Sequence, residues 1–85
     1  MIITLDIPEY FTDKGVKEIW GEHFQISTRL FENEFLITAN KAGLISLATQ
    51  LLTLAQDDVL SGTHIHYDAY NSLENDSVAF IIQKE

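Results

Sequence analysis

The sequence is poor in the residues that interrupt or cross-link a chain. Its 85 residues contain no cysteine, one proline and four glycines. Without cysteine there is no disulfide, no thiolate metal site and no cysteine nucleophile. Scarce glycine and proline leave little room for a linker. We therefore expect a single small domain over residues 1–85, near the lower size limit for a chain that folds alone.

Basic residues are scarce as well. Five lysines and arginines stand against thirteen aspartates and glutamates, which gives a formal net charge of −8. Nucleic acids and anionic membranes are bound through clustered lysine and arginine, so the composition argues against both as partners. It permits a basic protein partner, and nucleases are a common basic class.

Long apolar runs are also missing. The most apolar stretch, residues 42–55, is shorter than a membrane span and is interrupted by serine, threonine and glutamine. The first seven residues lack the basic segment that opens a signal peptide. We therefore expect a cytoplasmic protein, and the absence of cysteine suits a reducing compartment.

Alternating apolar and polar residues predict most of the strands. A hairpin is expected over about residues 23–39, with its turn at Glu32 and Asn33. Further β-rich runs predict strands at residues 2–7, at 64–69 and at 78–83. Residues 10–22 fit a helical and a strand pattern equally well, and Gly15 and Gly21 favour a short strand there. The run at 78–83 is apolar on both faces, which is typical of a central strand covered on both sides.

Apolar residues at helical spacing predict one main helix over about residues 41–56, with Asn40 as its N-cap. We expect its apolar face to cover the sheet, leaving a polar, uncharged face opposite. The apolar positions are Leu44, Leu47, Ala48, Leu51, Leu54 and Ala55, and the polar ones are Ser46, Thr49, Gln50, Thr53 and Gln56. The predicted fold is α+β: a mostly antiparallel sheet of four to five strands with this helix packed on one face.

Chemically active side chains concentrate in residues 62–74. His64 and His66 would share one face of a strand, about 7 Å apart, close enough to hold one metal ion. A third ligand is missing, because Asp68 would lie about 13 Å from His64 and residues 78–83 offer none. Neither a glycine-rich phosphate loop nor a nucleophile elbow is present. We therefore predict no metal site, no cofactor, no catalytic residue and no enzyme activity.

Recognition of a partner fits this segment better. Strand alternation places Ile65, Tyr67 and Ala69 in the core and the histidines on the open face. Two more acids follow the helix, where its dipole disfavours negative charge. The predicted partner-binding residues are Asp57, Asp58, His64, His66, Asp68, Tyr70 and Glu74.

Two motifs in the last half of the chain carry a family resemblance. A Gly-Leu-x-Ser-Leu-Ala helix (residues 43–48) precedes a Gly-x-His-Ile-His-x-Asp strand (residues 62–68) and a Leu-Glu loop. In this order they resemble the small immunity proteins of bacterial polymorphic toxin systems. The resemblance implies a cytoplasmic, non-enzymatic α+β protein that binds and neutralises a cognate toxin. The acidic charge is consistent with a basic nuclease as that toxin.

Two alternatives remain open. The chain could be a structural or regulatory homodimer that closes the second sheet face with another copy of itself, because one helix covers only one face of a sheet. It could also be a small metal-dependent enzyme built on His64 and His66.

Overall fold

The computed structural model describes residues 1–11 and 15–85 and confirms the α+β class. Its elements are β1 (Ile26–Phe31), β2 (Glu34–Ala39), α1 (Lys41–Leu54), β3 (His64–Tyr67) and β4 (Phe80–Gln83). In this described part the strands form two antiparallel pairs, β1–β2 and β3–β4, and not the single sheet that the sequence predicted.

The β1–β2 hairpin agrees with the sequence pattern. Its register runs from Ile26 opposite Ala39 to Phe31 opposite Glu34, which leaves a two-residue turn. Glu32 opens the turn at φ 54°, the left-handed conformation that matches the twist of the flanking strands. Ile26 and Thr28 on the inner face are buried.

The N-terminal segment differs from the prediction. No strand forms at residues 2–7. Of the strand expected within 10–22, residues 12–14 lie outside the described part, and the rest holds only an isolated bridge between Phe11 and Gly15. The segment lies along α1, whose side chains supply hydrogen bonds in place of a neighbouring strand. Ser46 Oγ accepts from Gly21 N (2.8 Å), Gln50 Nε2 donates to Ile19 O (3.3 Å), and Gln56 Nε2 donates to Pro8 O (2.9 Å).

Helix α1 begins where predicted and ends two residues earlier. The Asn40 side chain accepts from Gly43 N (2.8 Å) and from Gln25 N (3.0 Å), so the N-cap also ties the helix to the start of the hairpin. The helix ends at Leu54, with Ala55 as its C-cap.

The predicted division of α1 into a covered apolar face and an outer polar face is wrong. Leu47 and Leu54 do pack in the core. Leu44, Leu51 and Leu52 are exposed, whereas the polar row is buried: Ser46, Thr49, Gln50 and Thr53. Burying these polar side chains costs little free energy, because the hydroxyls of Ser46, Thr49 and Thr53 each donate to the carbonyl four residues earlier, at 2.7 to 2.9 Å.

Both strands of the β3–β4 pair are shorter than predicted: β3 ends at Tyr67 and not at residue 69, so Ala69, which was predicted to lie in the core, is exposed. Ile65 and Tyr67 are buried, and the histidines of β3 are exposed. Strand β4 starts at residue 80, and Ile81 on its outer face is exposed, so β4 is not a central strand. Tyr67 stacks on Phe80 (4.5 Å between ring centroids) and meets Trp20 edge-on (6.2 Å). The buried apolar core comprises Tyr10, Ile26, Leu54, Val59, Ile65, Tyr67 and Leu73.

Candidate partner-binding surface

The outer face of β3 carries both histidines. Their ring centroids lie 4.9 Å apart, and His64 Nδ1 hydrogen-bonds with Gly62 O at 2.9 Å. Within residues 1–11 and 15–85, no group of three or more histidine, cysteine, aspartate or glutamate side chains is placed to hold a metal ion. Both histidines are exposed, and together they form a polar strip of the surface.

Asp68 holds the loop that follows β3. Its carboxylate accepts from Tyr70 N (2.9 Å) and Asn71 N (3.1 Å). In return, the Asn71 side chain accepts from Asp68 N (3.1 Å) and donates to His66 O (3.0 Å). Such aspartate-centred turns replace backbone pairing with side-chain bonds. Asp68 thus positions the loop, and its carboxylate is largely occupied.

Tyr70 stands at the tip of this loop and is fully exposed. Its backbone is fixed by the Asp68 carboxylate, so its ring projects from an ordered position. A few residues on, Glu74 N donates to Ile26 O (2.8 Å), which ties the loop to β1 while the Glu74 side chain stays exposed. The loop thus presents a fully exposed aromatic side chain on a backbone that is held in place.

Asp57 and Asp58 lie at the other end of the β3–β4 pair. They follow α1 and are exposed. Lys84, which succeeds β4, donates from Nζ to Gln56 O (2.6 Å) and from N to Thr63 O (2.8 Å), and this places the two acids at the His64 end of β3. Tyr70 and Glu74 lie beyond its Tyr67 end. We call the residues along β3 and in the loop that follows it the Tyr70 group (His64, His66, Asp68, Tyr70 and Glu74), and the two acids beside the His64 end of β3 the Asp57 group (Asp57 and Asp58).

Glu18 joins the histidine strip although no sequence pattern indicated it. Burial raises the pKa of the Glu18 carboxyl, and the nearby His66 partly offsets that rise. Burial also raises the pKa of Tyr67 to about 12, with a smaller contribution from the charge of Glu18. Residues 16–20 have no regular structure from which a side-chain direction could be predicted.

A second feature missed by the sequence analysis is an exposed apolar surface on β2 and α1. We define the apolar surface as Phe35 and Ile37, which share one face of β2, with Leu44, Leu51 and Leu52 of α1. The two elements are consecutive and are joined only by Asn40. Sequence periodicity groups residues on a face but does not say whether that face is covered. No helix in the described residues is long and apolar enough to cross a bilayer.

The fold and these surfaces define a small acidic α+β domain with an exposed histidine pair, an exposed tyrosine and an exposed apolar surface. The sequence model of the Immunity protein 32 family matches residues 34–85, and the chain belongs to this family. The predicted resemblance to immunity proteins is thereby confirmed. Immunity proteins are generally not enzymes, and membership implies a cognate toxin as partner. Neither the curated proteins nor the solved structures gave a match.

Proposed function

We propose that this protein acts in the cytoplasm, where it binds a cognate toxin and neutralises it by protein–protein contact. Family membership supports the role, and the net charge of −8 supports a basic toxin such as a nuclease. The acids of the described residues are exposed apart from the half-buried Asp68, so their charge faces an approaching partner.

Tyr70 is the observation that carries the proposed binding site. An exposed tyrosine brings a large amphipathic ring to an interface and loses little conformational freedom there. Here the loss is smaller still, because the Asp68 carboxylate already fixes the backbone of Tyr70. We place Tyr70 at the centre of the contact, with the exposed side chains of the Tyr70 group around it, and assign attraction of the toxin to the Asp57 group.

Co-expression with the product of the neighbouring toxin gene tests the function. The wild-type chain should restore growth to cells that express the toxin and should co-purify with it. A neighbouring gene product that is harmless to cells, or growth rescue without a complex of the two proteins, would contradict the proposal.

Replacing Tyr70 by alanine tests the binding site. Loss of a central aromatic anchor costs about 2 kcal/mol of binding free energy, so Tyr70→Ala should raise the toxin Kd by about 30-fold. Because Tyr70 is exposed, the melting temperature should stay unchanged. Phe31→Ala is the matched control, since Phe31 is an exposed aromatic residue of the hairpin, outside the Tyr70 group. Equal losses of affinity in both variants would place the contact elsewhere.

A further inference from the structure

The outer face of α1 is apolar, the reverse of an ordinary surface helix. A helix at the edge of a domain normally buries its apolar residues and exposes its polar ones. Here the polar side of α1 faces the N-terminal segment instead of solvent. The backbone of that segment is hydrogen-bonded to the side chains of Ser46, Gln50 and Gln56. Leu44, Leu51 and Leu52 are left on the outside. A contiguous apolar face of this kind indicates an interaction surface.

Strand β2 adds an open sheet edge to the same surface. Asn40 N donates to Gln25 O (3.1 Å), and because hydrogen-bonded pairs alternate along an antiparallel ladder, the backbone groups of Phe35 and Ile37 point away from β1. In the described part of the chain β2 pairs only with β1. The far edge of β1 is occupied, since Glu74 N donates to Ile26 O (2.8 Å). The edge of β2 also lacks the proline or inward-pointing lysine that commonly protects such edges.

We propose that the apolar surface is the interface of a homodimer, in which the β2 edges of two copies pair antiparallel and the outer faces of α1 meet beside them. Antiparallel pairing about a two-fold axis uses the same edge from both copies, as an isologous interface requires. If the axis passes Ile37, Phe35 lies opposite Ala39 of the second copy and Glu34 opposite Asn40. In this register no charged residue lies opposite the same residue of the second copy. The pairing turns a marginal two-stranded sheet into a four-stranded one.

The charge distribution favours a second copy over the toxin at this surface. Residues 34–56, which span β2 and α1, contain two charged side chains of opposite sign, Glu34 and Lys41, in a chain of net charge −8. A basic toxin would be attracted to the acidic surfaces and not to this one. For two copies, which repel each other through their acidic surfaces, a nearly uncharged region is the least unfavourable place to meet.

The surface area is sufficient for such a dimer. The chain exposes 6312 Å², whereas a folded monomer of 9.7 kDa exposes about 5,100 Å². A standard interface removes about 800 Å² from each partner. The surplus of about 1,200 Å² exceeds that amount.

Mass measurement on the toxin-free chain tests the proposal. At about 50 µM the wild type should sediment with twice the 9.7 kDa of one chain. Leu44→Lys should sediment as a monomer at the same concentration, because it places a charge inside the interface. Leu60→Lys is the matched control: Leu60 is 60% exposed and Leu44 57%, and Leu60 lies outside the apolar surface. A monomeric wild type, or a Leu44→Lys variant that stays dimeric, would overturn the proposal.

Hydrogen exchange of the Phe35 and Ile37 amides provides a readout that needs no variant. Their protection should increase with protein concentration, because only the dimer pairs them. Protection in a monomer would show that the chain's own N-terminal residues cover the edge. Protection that appears only when toxin is added would assign the surface to the toxin. Either result would refute the dimer. Because these measurements use no toxin for the expected result, they fail independently of the proposed immunity function.

Discussion

At the scale of single residues, the Tyr67 hydroxyl connects three parts of the fold. It donates to Gln50 Oε1 at 2.7 Å, and the same Gln50 side chain donates to Ile19 O at 3.3 Å. Strand β3, helix α1 and the N-terminal segment therefore meet at one buried pair. No buried side-chain nitrogen or oxygen in the described residues is without a hydrogen-bond partner. The pair is thus part of a fully satisfied polar network within the core.

Tyr67→Phe should remove this connection and leave the Gln50 amide oxygen unpaired. An unpaired buried acceptor costs about 1 to 3 kcal/mol, and we expect that loss in the free energy of unfolding measured with urea. Tyr70→Phe is the control, because the exposed Tyr70 should change stability by less than about 0.5 kcal/mol. Equal stability of the two variants would show that the hydroxyl bond contributes nothing.

The same residue predicts a pH dependence. Burial raises the pKa of Tyr67 from 10.0 in its ordinary state to about 12 in the folded chain. The folded state therefore keeps the proton that the unfolded state releases, and stability must fall as pH rises. The contribution of Tyr67 is fully present below pH 10 and is lost as pH rises through about 12. Tyr67→Phe should lack this loss of stability between pH 10 and about 12. If the free energy of unfolding of the two proteins fell in parallel over that range, Tyr67 would not be the titrating group.

At the scale of elements, the Gly-Leu-x-Ser-Leu-Ala motif has a structural explanation. A Cβ on Gly43 would lie 2.6 Å from Gln25 O and 2.9 Å from Ile26 Cγ1, so only glycine lets the first turn of α1 approach β1 this closely. Three residues later, Ser46 accepts from Gly21 N. The motif therefore joins the helix to the hairpin on one side and to the N-terminal segment on the other.

Gly43→Ala should destabilise the protein although alanine is the better helix former. The helix propensity gain is about 1 kcal/mol, whereas the clash with backbone and core atoms costs about 1 to 3 kcal/mol. We expect a net loss of stability by thermal unfolding. Gly21→Ala is the control, because its Cβ would meet Ser46 Oγ at 3.4 Å, an ordinary contact. A Gly43→Ala protein at least as stable as the wild type would show that helix and strand separate without cost.

Elements defined by their own periodicity were predictable, and those defined by their neighbours were not. The hairpin, α1 and the two faces of β3 follow from alternation and helical spacing alone. The β-rich residues 2–7 found no strand to pair with in the described chain. The covered face of α1 was wrongly predicted because hydrophobicity was taken to decide burial. The polar row instead holds the backbone of the N-terminal segment, for example through Gln56 and Pro8.

The exposure of most candidate residues was predicted from the sequence, but their arrangement was not. Exposure of His64, His66 and Tyr70 follows from strand alternation and loop position. That Asp57 lies at the opposite end of β3 depends on a tertiary contact, the bond from Lys84 to Gln56 O. The turn at Asp68 forms through local bonds to Tyr70 and Asn71, which strand alternation does not indicate. The apolar surface had no sequence signal, since the same leucines would be read as core on any helix.

At the scale of the whole molecule, the chain divides its surface by charge. The acids lie mainly in the N-terminal residues, at the β1–β2 turn, after α1 and in the loop between β3 and β4, whereas residues 35–56 contain one charged side chain. The two properties serve different purposes in our proposals: the apolar surface joins two copies, and the acidic surface attracts a basic toxin. In such a dimer the acidic surfaces of both copies stay outside the interface, so two toxin molecules could be bound at once.

This division predicts separate kinetic effects for the two groups of the toxin-binding surface. Asp57→Asn with Asp58→Asn removes two of the thirteen negative charges and should slow association with a basic toxin several-fold at low salt. The effect should fade as ionic strength rises, because exposed charges are screened over about 8 Å at physiological salt. Dissociation should be unchanged, since long-range attraction acts mainly before contact. Tyr70→Ala should behave in the opposite way, with faster dissociation and unchanged association.

Surface plasmon resonance with immobilised toxin at two ionic strengths separates these effects. The control is Glu32→Gln with Asp76→Asn, which removes the same charge from exposed loops away from the Asp57 group. If the control slows association as strongly as the Asp57 and Asp58 changes, net charge alone attracts the toxin and the position of the acids does not matter. If the Asp57 and Asp58 changes instead accelerate dissociation, both acids contact the toxin directly and belong with Tyr70 in the bound interface.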